Sequence, residues 1–332
     1  MMTQVSLGDM TQTWLLRRQN AALKQQLTDL GQEVTTGRTA NITRHLSGDF
    51  GILNSIEHDL KTLASYHTTL TEAAGFAGAA QSSLEHIQRL AGDLSTNLLK
   101  TDGAFAELGD TLTGEAEQAF TTMVSTLNGT YAGQSLFTGQ ALDQRALPTG
   151  ATILSSIRTA IGADLSVTNI RTTIDAWFAP GGGFDTASYQ GSLVDRTAFR
   201  LNDTDTVAVS VRADNDAIKD LLRLVATAAI AGDATTTSDR SSLLQSAGEG
   251  LLTSDDAIIK LRASLGFKEQ SIQHAQTQHA AEQNSLELAY NDLLGVNPYS
   301  AATELQNVET RLQTIYAITA RMSSMSLVSF LS

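Results

Sequence analysis

Proline occurs three times in 332 residues, at Pro148, Pro180 and Pro298. Its ring removes a backbone donor and clashes with the preceding turn, so it breaks helix interiors. Residues 1–147 and 181–297 contain none, which leaves both flanks free to form very long helices. Absence only permits; apolar spacing decides. Leu16, Leu23 and Leu30 recur every seven residues, with Leu27 and Val34 at the intervening positions, as a coiled-coil seam requires. Leu53, Ile56, Leu60, Leu63 and Leu70 repeat the pattern, which resumes as Leu84, Ile87, Ala91, Leu94 and Leu98. A third stripe runs Leu112, Ala116, Phe120, Val124, Leu127. Toward the C-terminus Ile258, Leu265, Ile272, His279, Leu286 and Leu293 are spaced by seven throughout. That spacing predicts a helix from about Thr253 to Val296, roughly 65 Å long at 1.5 Å per residue. Pro298 is expected as a break or as the first turn of a last helix. Beyond it Leu305, Val308, Leu312, Ile315 and Met322 restart the seam, which ends in Leu327, Phe330 and Leu331.

The composition changes between the flanks. No Glu lies between Glu117 and Glu249, and every carboxylate from Asp143 to Asp239 is Asp. Asp favours caps and turns where Glu favours helix interiors, so this stretch is expected to be turn-rich and mixed. Pro180-Gly181-Gly182-Gly183 is a loop. Thr197–Leu201 and Thr206–Arg212 alternate in period two, with Val207, Val209 and Val211 on one face and Asn202-Asp203 as the turn, which predicts a hairpin. Asp214 is expected to cap a helix with the apolar face Ile218, Leu221, Leu222, Val225 and Ala229, stopped by Gly232. The fold class that follows is mainly α: a long helical bundle or coiled coil built from both chain ends, carrying a small α+β insert. The expected division is a terminal pair (1–40 with 285–332), a bundle (41–140 with 246–284) and the insert (141–245).

Charge and composition narrow the function. With 42% hydrophobic residues the chain can build real cores. Its 22 Lys and Arg are outnumbered by 35 Asp and Glu, for a net charge of -13, and gather into no basic stripe. Nucleic acid and anionic membrane are therefore disfavoured as partners. The absence of cysteine excludes a disulfide scaffold, a cysteine-rich metal site and a cysteine nucleophile. Met1–Met10 has no basic n-region followed by an apolar run, so no cleaved secretory leader is expected. The longest apolar stretch, Val225–Ala231, is too short to span a bilayer.

Motifs that would carry chemistry fail on spacing. No two of His45, His58, His67, His86, His274 and His279 stand at i, i+4. His279 is read as a polar break in the seam that helps fix register. Gly133-Gln134-Ser135-Leu136-Phe137 puts Phe137 where a nucleophile elbow needs its second glycine. Asp203, Asp205, Asp214 and Asp216 lack the spacing and the terminal Glu of a calcium loop. Gly181–Gly183 lacks the Lys of a phosphate loop. Asn41, Asn128 and Asn202 head N-x-T triplets that, without a leader, are chance. No catalytic, cofactor-binding or metal site is expected. What remains is the seam. Around Leu16–Val34, Thr, Gln and Ala dominate, so a lone helix there is marginal until it packs against another. Two such termini suggest a polymerising protein.

Four places carry a family resemblance. They are Thr36-Gly37-Arg38 after the first helix; Gly133 with Leu136-Phe137-Thr138-Gly139, preceded by Asn128; Tyr189-Gln190-Gly191 ahead of the hairpin; and Ala320-Arg321 followed by Ser326-Leu327 and Leu331. In order, around an insert and between heptad termini, they resemble the flagellin and hook-associated family, most of all its hook-filament junction members. One departure is Ser47-Gly48-Asp49-Phe50, where the family has a Ser-Asp-Asp-Pro-like turn. The resemblance implies a structural, non-enzymatic protein without cofactor. It implies export through the flagellar type III channel and residence outside the cell at the hook-filament junction. The implied partners are the hook-side junction protein (hook-associated protein 1), flagellin, further copies of itself and an export chaperone. Polymer contacts are then expected at Leu16, Leu23, Leu27, Leu30, Val34, Leu305, Val308, Leu312, Ile315, Met322, Leu327 and Leu331. Alternatives are a flagellin filament subunit and a secreted helical translocator or adhesin; an enzyme has least support.

Overall fold

The computed structural model describes the backbone of residues 7–100 and 105–331, and the side chains within them except at 7–10, 12–13, 105–107 and 322–331. In chain order the helices are α1 (Leu7–Thr36), α2 (Ile42–His45), α3 (Gly51–Lys100), α4 (Phe105–Leu127), α5 (Gly150–Ile161), α6 (Val167–Phe178), α7 (Asp216–Ile230), α8 (Thr237–Leu294) and α9 (Pro298–Leu331). Two hairpins, each of two-residue strands, interrupt them: β1 (Thr130–Tyr131) with β2 (Gln134–Ser135), and β3 (Phe199–Arg200) with β4 (Thr206–Val207), both antiparallel. The fold is thus mainly α, with long helices from both ends of the chain and a small α+β insert. Packing divides it into two units, Met1–Ala64 with Ala280–Ser332, and Ser65–His279.

In the first unit α1 packs on α9. Pro298 opens α9, where its missing N–H costs nothing, and Asn297 caps the helix by accepting from the Tyr299 and Ser300 N–H groups. α1 ends at Thr36 because Gly37, at φ +68°, takes the left-handed turn that a glycine adopts freely. At the Ser47-Gly48 departure both residues have positive φ (54° and 83°), and Asp49 accepts from the Gly51 N–H to start α3. Asn41 caps α2 and Asn202 organises the second hairpin turn, which gives two of the N-x-T asparagines local structural duties.

In the second unit one continuous core runs from Leu70 to Ala275. It takes the expected stripes of α3, α4 and α8, including Leu84, Leu98, Phe120, Leu127, Ile258 and Ile272, all buried. α7 lies at its centre. Its residues from Leu221 to Ile230 are buried on almost every side except at Arg223, and it packs on α4, α5 and α6. A helix covered all round is the one around which the others are arranged. Residues 141–245 accordingly share this core with α4 and α8.

Four local expectations are corrected. α8 starts at Thr237, not near Thr253, because Thr236 caps it and Leu243, Leu244, Ala247 and Leu251 continue its buried face. Gly248 and Gly250 do not break it. A Cβ at Gly248 would stand 3.0 Å from Leu98 and one at Gly250 would collide with Leu224, so both glycines serve close helix packing. The cap of α7 is Asn215, which accepts from the Ala217 N–H, because Asp214 is engaged by Arg212 at 2.8 and 3.1 Å. α7 ends at Ile230 and tightens into a 3-10 turn over Ala231–Asp233, so Gly232 sits inside that turn and does not stop the helix. The second hairpin pairs only Phe199–Arg200 with Thr206–Val207, although Val207, Val209 and Val211 are all buried as their alternation predicts.

Beside the Gly181–Gly183 loop, a one-turn π-helix (Phe184–Ser188) places Asp185 2.8 Å from Lys219, whose side chain is buried. Burial pushes the Asp185 carboxyl up, but the Lys219 bond and the Gly181 N–H outweigh it and hold it below its ordinary value. A carboxylate with a depressed pKa stabilises the fold above the unfolded-state value and loses that contribution as pH falls through the folded one. Asp185→Ala leaves Lys219 buried without a counter-ion. It is expected to cost about 3 kcal/mol at neutral pH, with the deficit relative to wild type shrinking below about pH 4; urea unfolding at both pH values measures it, and a pH-independent deficit would point to packing instead.

Candidate assembly site

Two constructions stand out, one in each unit. In the first, the last turn of α1 is stitched to the break between α8 and α9. Thr39 N–H donates to Leu294 O at 2.9 Å, and Val296 N–H donates to Gly37 O at 3.0 Å. Arg38 bridges to Gly295, donates to the Asn291 side-chain oxygen and lies 5.4 Å over the Tyr290 ring. His45 Nε2 adds a bond to Leu293 O at 3.1 Å. The stitch joins the end of α1 to the start of α9, so the two helices run antiparallel from it.

Along that pair the residues expected as polymer contacts, where their side chains are described, are covered to different degrees. Val308 and Leu312 are buried; Leu16, Leu23, Leu27, Leu30, Val34, Leu305 and Ile315 are half-buried. Met322, Leu327 and Leu331 lie outside the residues whose side chains are described. The seam is incompletely closed: Gln19, Ala22, Leu23, Arg311, Thr314 and Ile315 line an opening of about 440 Å³. Trp14 (59% exposed), Leu15, Tyr316 and Ile318 stay outward. Only their exposure in the folded chain shows that these apolar side chains are left uncovered.

In the second unit, two motifs far apart in sequence are tied to each other. β1 and β2 are joined through Ala132 and Gly133, both at positive φ (49° and 80°), the conformation a two-residue hairpin demands. Leu136 and Phe137 then enter the core, and Gly139 turns left-handed at φ +62°. Ser192 N–H donates to Thr138 O at 2.8 Å, Gln140 N–H to Val194 O at 3.1 Å, and Ala213 N–H to Phe137 O at 2.9 Å. A Cβ on Gly139 would run into Val194 O, and one on Gly191 would reach the Tyr189 hydroxyl and stand 2.8 Å from the Thr138 Cα. The L-F-x-G and Y-x-G glycines thus permit one another's backbone to approach. Tyr189 donates to Ser192 O at 3.0 Å; burial, with Asp214 adding to it, pushes its phenol well above the ordinary range. Asn128 grips Leu147 by both its N–H and its C=O at 2.9 Å.

Residues the sequence did not single out complete this knot. Arg212 reaches Asp214 and Asp195, the latter at 2.6 Å. Arg196 is sandwiched between Phe76 and Phe199 at 4.3 and 4.6 Å and paired with Glu72 at 3.1 Å; burial lowers its proton affinity and Glu72 offsets part of that. Asp195, Glu72 and Phe76 are distant in sequence from the arginines they meet, so no local pattern marks those contacts. His279 is buried as its seam position implies, yet its partner is the hairpin: Nε2 bonds Leu201 O at 2.8 Å, beside Tyr66, whose hydroxyl donates to Asp203 at 2.5 Å.

Among the described residues no group of three His, Asp or Glu is placed to hold a metal, and no helix is long and apolar enough to cross a membrane. The constructions are backbone stitches and apolar surfaces, and they define a fold class: a mainly α chain whose two ends pair as long helices in one unit, with a second unit folded on its own core. Comparison sharpens this. Residues 253–331 match the family model of the bacterial flagellin C-terminal helical region. The fold is similar to that of a solved structure described provisionally as a flagellar hook-associated protein from Vibrio parahaemolyticus, with a TM-score of 0.51 and 13% identity over 74% of this chain and 99% of that one. No curated protein matches the chain in sequence.

Proposed function

We propose that this chain is a structural, non-enzymatic junction protein of the bacterial flagellum, of the hook-associated protein 3 type. It joins the hook-side junction protein to the flagellin filament outside the cell, after type III export with a chaperone. The antiparallel α1–α9 pair carries the reading: a flagellin-type C-terminal region is stitched to the N-terminal helix, and its seam is left partly open. In this reading residues 1–40 with 285–332 are the polymer core, 41–140 with 246–284 the bundle and 141–245 the outer insert. The seam residues hold the pair, and neighbouring subunits cover what remains half-exposed. Because such contacts are head-to-tail, each subunit presents a different surface to each neighbour.

The family-model match favours a second reading, a flagellin filament subunit. Deleting the gene separates the two. The junction reading expects unassembled flagellin shed into the medium by cells lacking filaments; loss of a sole flagellin leaves none to shed. Val308, 1% exposed in the seam, tests the pair itself. Val308→Asp puts an unpaired charge between the helices, a cost of several kcal/mol, and is expected to abolish assembly while the second unit's thermal transition stays in place. Normal filaments on cells carrying this variant would remove the terminal pair from the mechanism.

A further inference from the structure

We propose that neighbouring copies lie with their α1–α9 pairs parallel and staggered by one heptad, roughly 10 Å at 1.5 Å per residue, so that Trp14 and Tyr316 of one copy close the seam opening of the next. This contact presupposes the assembly reading and adds to it the register in which copies meet.

Charge is separated along the pair. Between Asp9 and Asp29, α1 carries only Arg17, Arg18 and Lys24, and beyond Glu309, α9 carries only Arg311 and Arg321. Toward the stitch the sign reverses, with Asp29 and Glu33 on α1 and Glu304 and Glu309 on α9. The stitch fixes which residues stand beside each other. Counting back from Gly37 against Val296 and Arg38 against Gly295, Asp29 lies level with Glu304, Lys24 with Glu309 and Arg17 with Tyr316. Arg17, Arg18, Lys24, Arg311 and the four carboxylates near the stitch form no ion pair among the described residues. The whole-chain charge of -13 conceals this basic half.

Apolar surface is concentrated in the same half. Half-buried Leu23 and Ile315 and exposed Ala22 line the opening of about 440 Å³, and Arg311 is its only charged lining residue. Trp14 and Tyr316, 59% and 48% exposed, lie about 130–150° round their helices from the lining residues at 3.6 residues per turn. They therefore face away from the opening of their own copy and toward that of a copy stacked on the far side. An aromatic face suits an opening whose one charge is a guanidinium.

One stagger satisfies both. With like halves level, cation faces cation and carboxylate faces carboxylate. Advancing one copy by seven residues toward its neighbour's stitch brings its Trp14 level with the opening, between Gln19 and Leu23. The same advance carries its Lys24 midway between the levels of Asp29 and Glu33, beside Glu304. Advance in the other sense brings Lys24 level with Arg17, so charge sets the direction. Seven residues is close to two whole turns, which keeps the same helix faces opposed. Ring side and opening side are different surfaces, so the contact is heterologous and extends from copy to copy.

The chain has no cysteine, so Lys24→Cys and Glu304→Cys each put one thiol at an exposed position. Mixing the two full-length variants with a short bismaleimide is expected to give the 24–304 conjugate several-fold over either like-with-like product, read by gel and peptide mass spectrometry. Adding Trp14→Ala to the Lys24→Cys copy is expected to lower that yield several-fold. Adding it to the Glu304→Cys copy leaves the yield unchanged, because only the first copy's ring enters the opening at this contact. Lys24→Glu and Glu304→Lys, each alone, are expected to weaken association several-fold at low salt in sedimentation velocity. Their equimolar mixture restores it, since each reversed charge then meets its opposite across copies. A statistical mixture of the three products, a dominant 24–24 or 304–304 product, no conjugate, or equal effects of Trp14→Ala in the two copies overturns the stagger. The gene deletion keeps the two ideas apart: the conjugate without shed flagellin removes the junction reading and keeps this contact, and shed flagellin without the conjugate does the reverse.

Discussion

Removing residues 1–40 and 295–332 is expected to leave a fragment that unfolds in one cooperative transition and sediments as a monomer. The continuous core extends from Leu70 to Ala275 and takes nothing from the deleted segments. Phe120, Phe137, Phe184 and Met123 are fully buried there, each contributing about 1.5–3 kcal/mol by burial. The terminal helices contribute to a separate unit, held by the Arg38–Gly295 stitch and the partly open seam. The fragment should keep a thermal midpoint close to that of the second unit in the full chain, while losing any tendency of the full chain to associate through its termini. Calorimetry and sedimentation velocity read both. A fragment with no cooperative transition would mean that the second unit depends on the first, against the division proposed here.

Gly139→Val is expected to be the most damaging single substitution in the knot. At φ +62° a side chain costs roughly 1–2 kcal/mol, and its Cβ would press on Val194 O and stand 2.9 Å from Ser192 O. Neither carbonyl belongs to a flexible side chain, so the backbone must move. Together these effects predict a loss of about 3 kcal/mol or more, a fall of roughly 6–12 °C in Tm for a unit of this size. Gly133→Ala is the matched control: φ is +80° but nothing lies within 4 Å of the new Cβ. It should cost only about 1 kcal/mol. Equal effects of the two would show that the interlocking of the motifs contributes nothing. Because Val194 O receives the Gln140 N–H, Gly139→Val should also loosen the loop at Leu193 and Val194.

Much of this architecture is legible in single residues. The sevenfold spacing at Leu16–Val34 and Ile258–Leu293 predicts α1 and most of α8 because a helical face repeats at a spacing that sequence alone can display. Gly37 and Pro298 mark ends because their preferences are intrinsic to the residue. The errors arise where two residues compete. Asp214 and Asn215 are both good caps, and Arg212, attached to Asp214, decides for Asn215. The start of α8 is misplaced because Leu243, Leu244, Ala247 and Leu251 extend its buried face, and Gly248 and Gly250 sit in it as sites of close packing on Leu98 and Leu224.

The assembly surfaces divide along the same line. Periodicity alone determines that both ends are amphipathic helices needing a partner, and composition that the stretch between them is turn-rich. Tertiary structure decides that α1 and α9 meet antiparallel, that the L-F-x-G and Y-x-G segments lock together, and that Leu193 and Val194 remain outside. A side chain's periodicity is a property of its neighbours in sequence. Whether it is covered depends on residues hundreds of positions away, whose approach is set by packing.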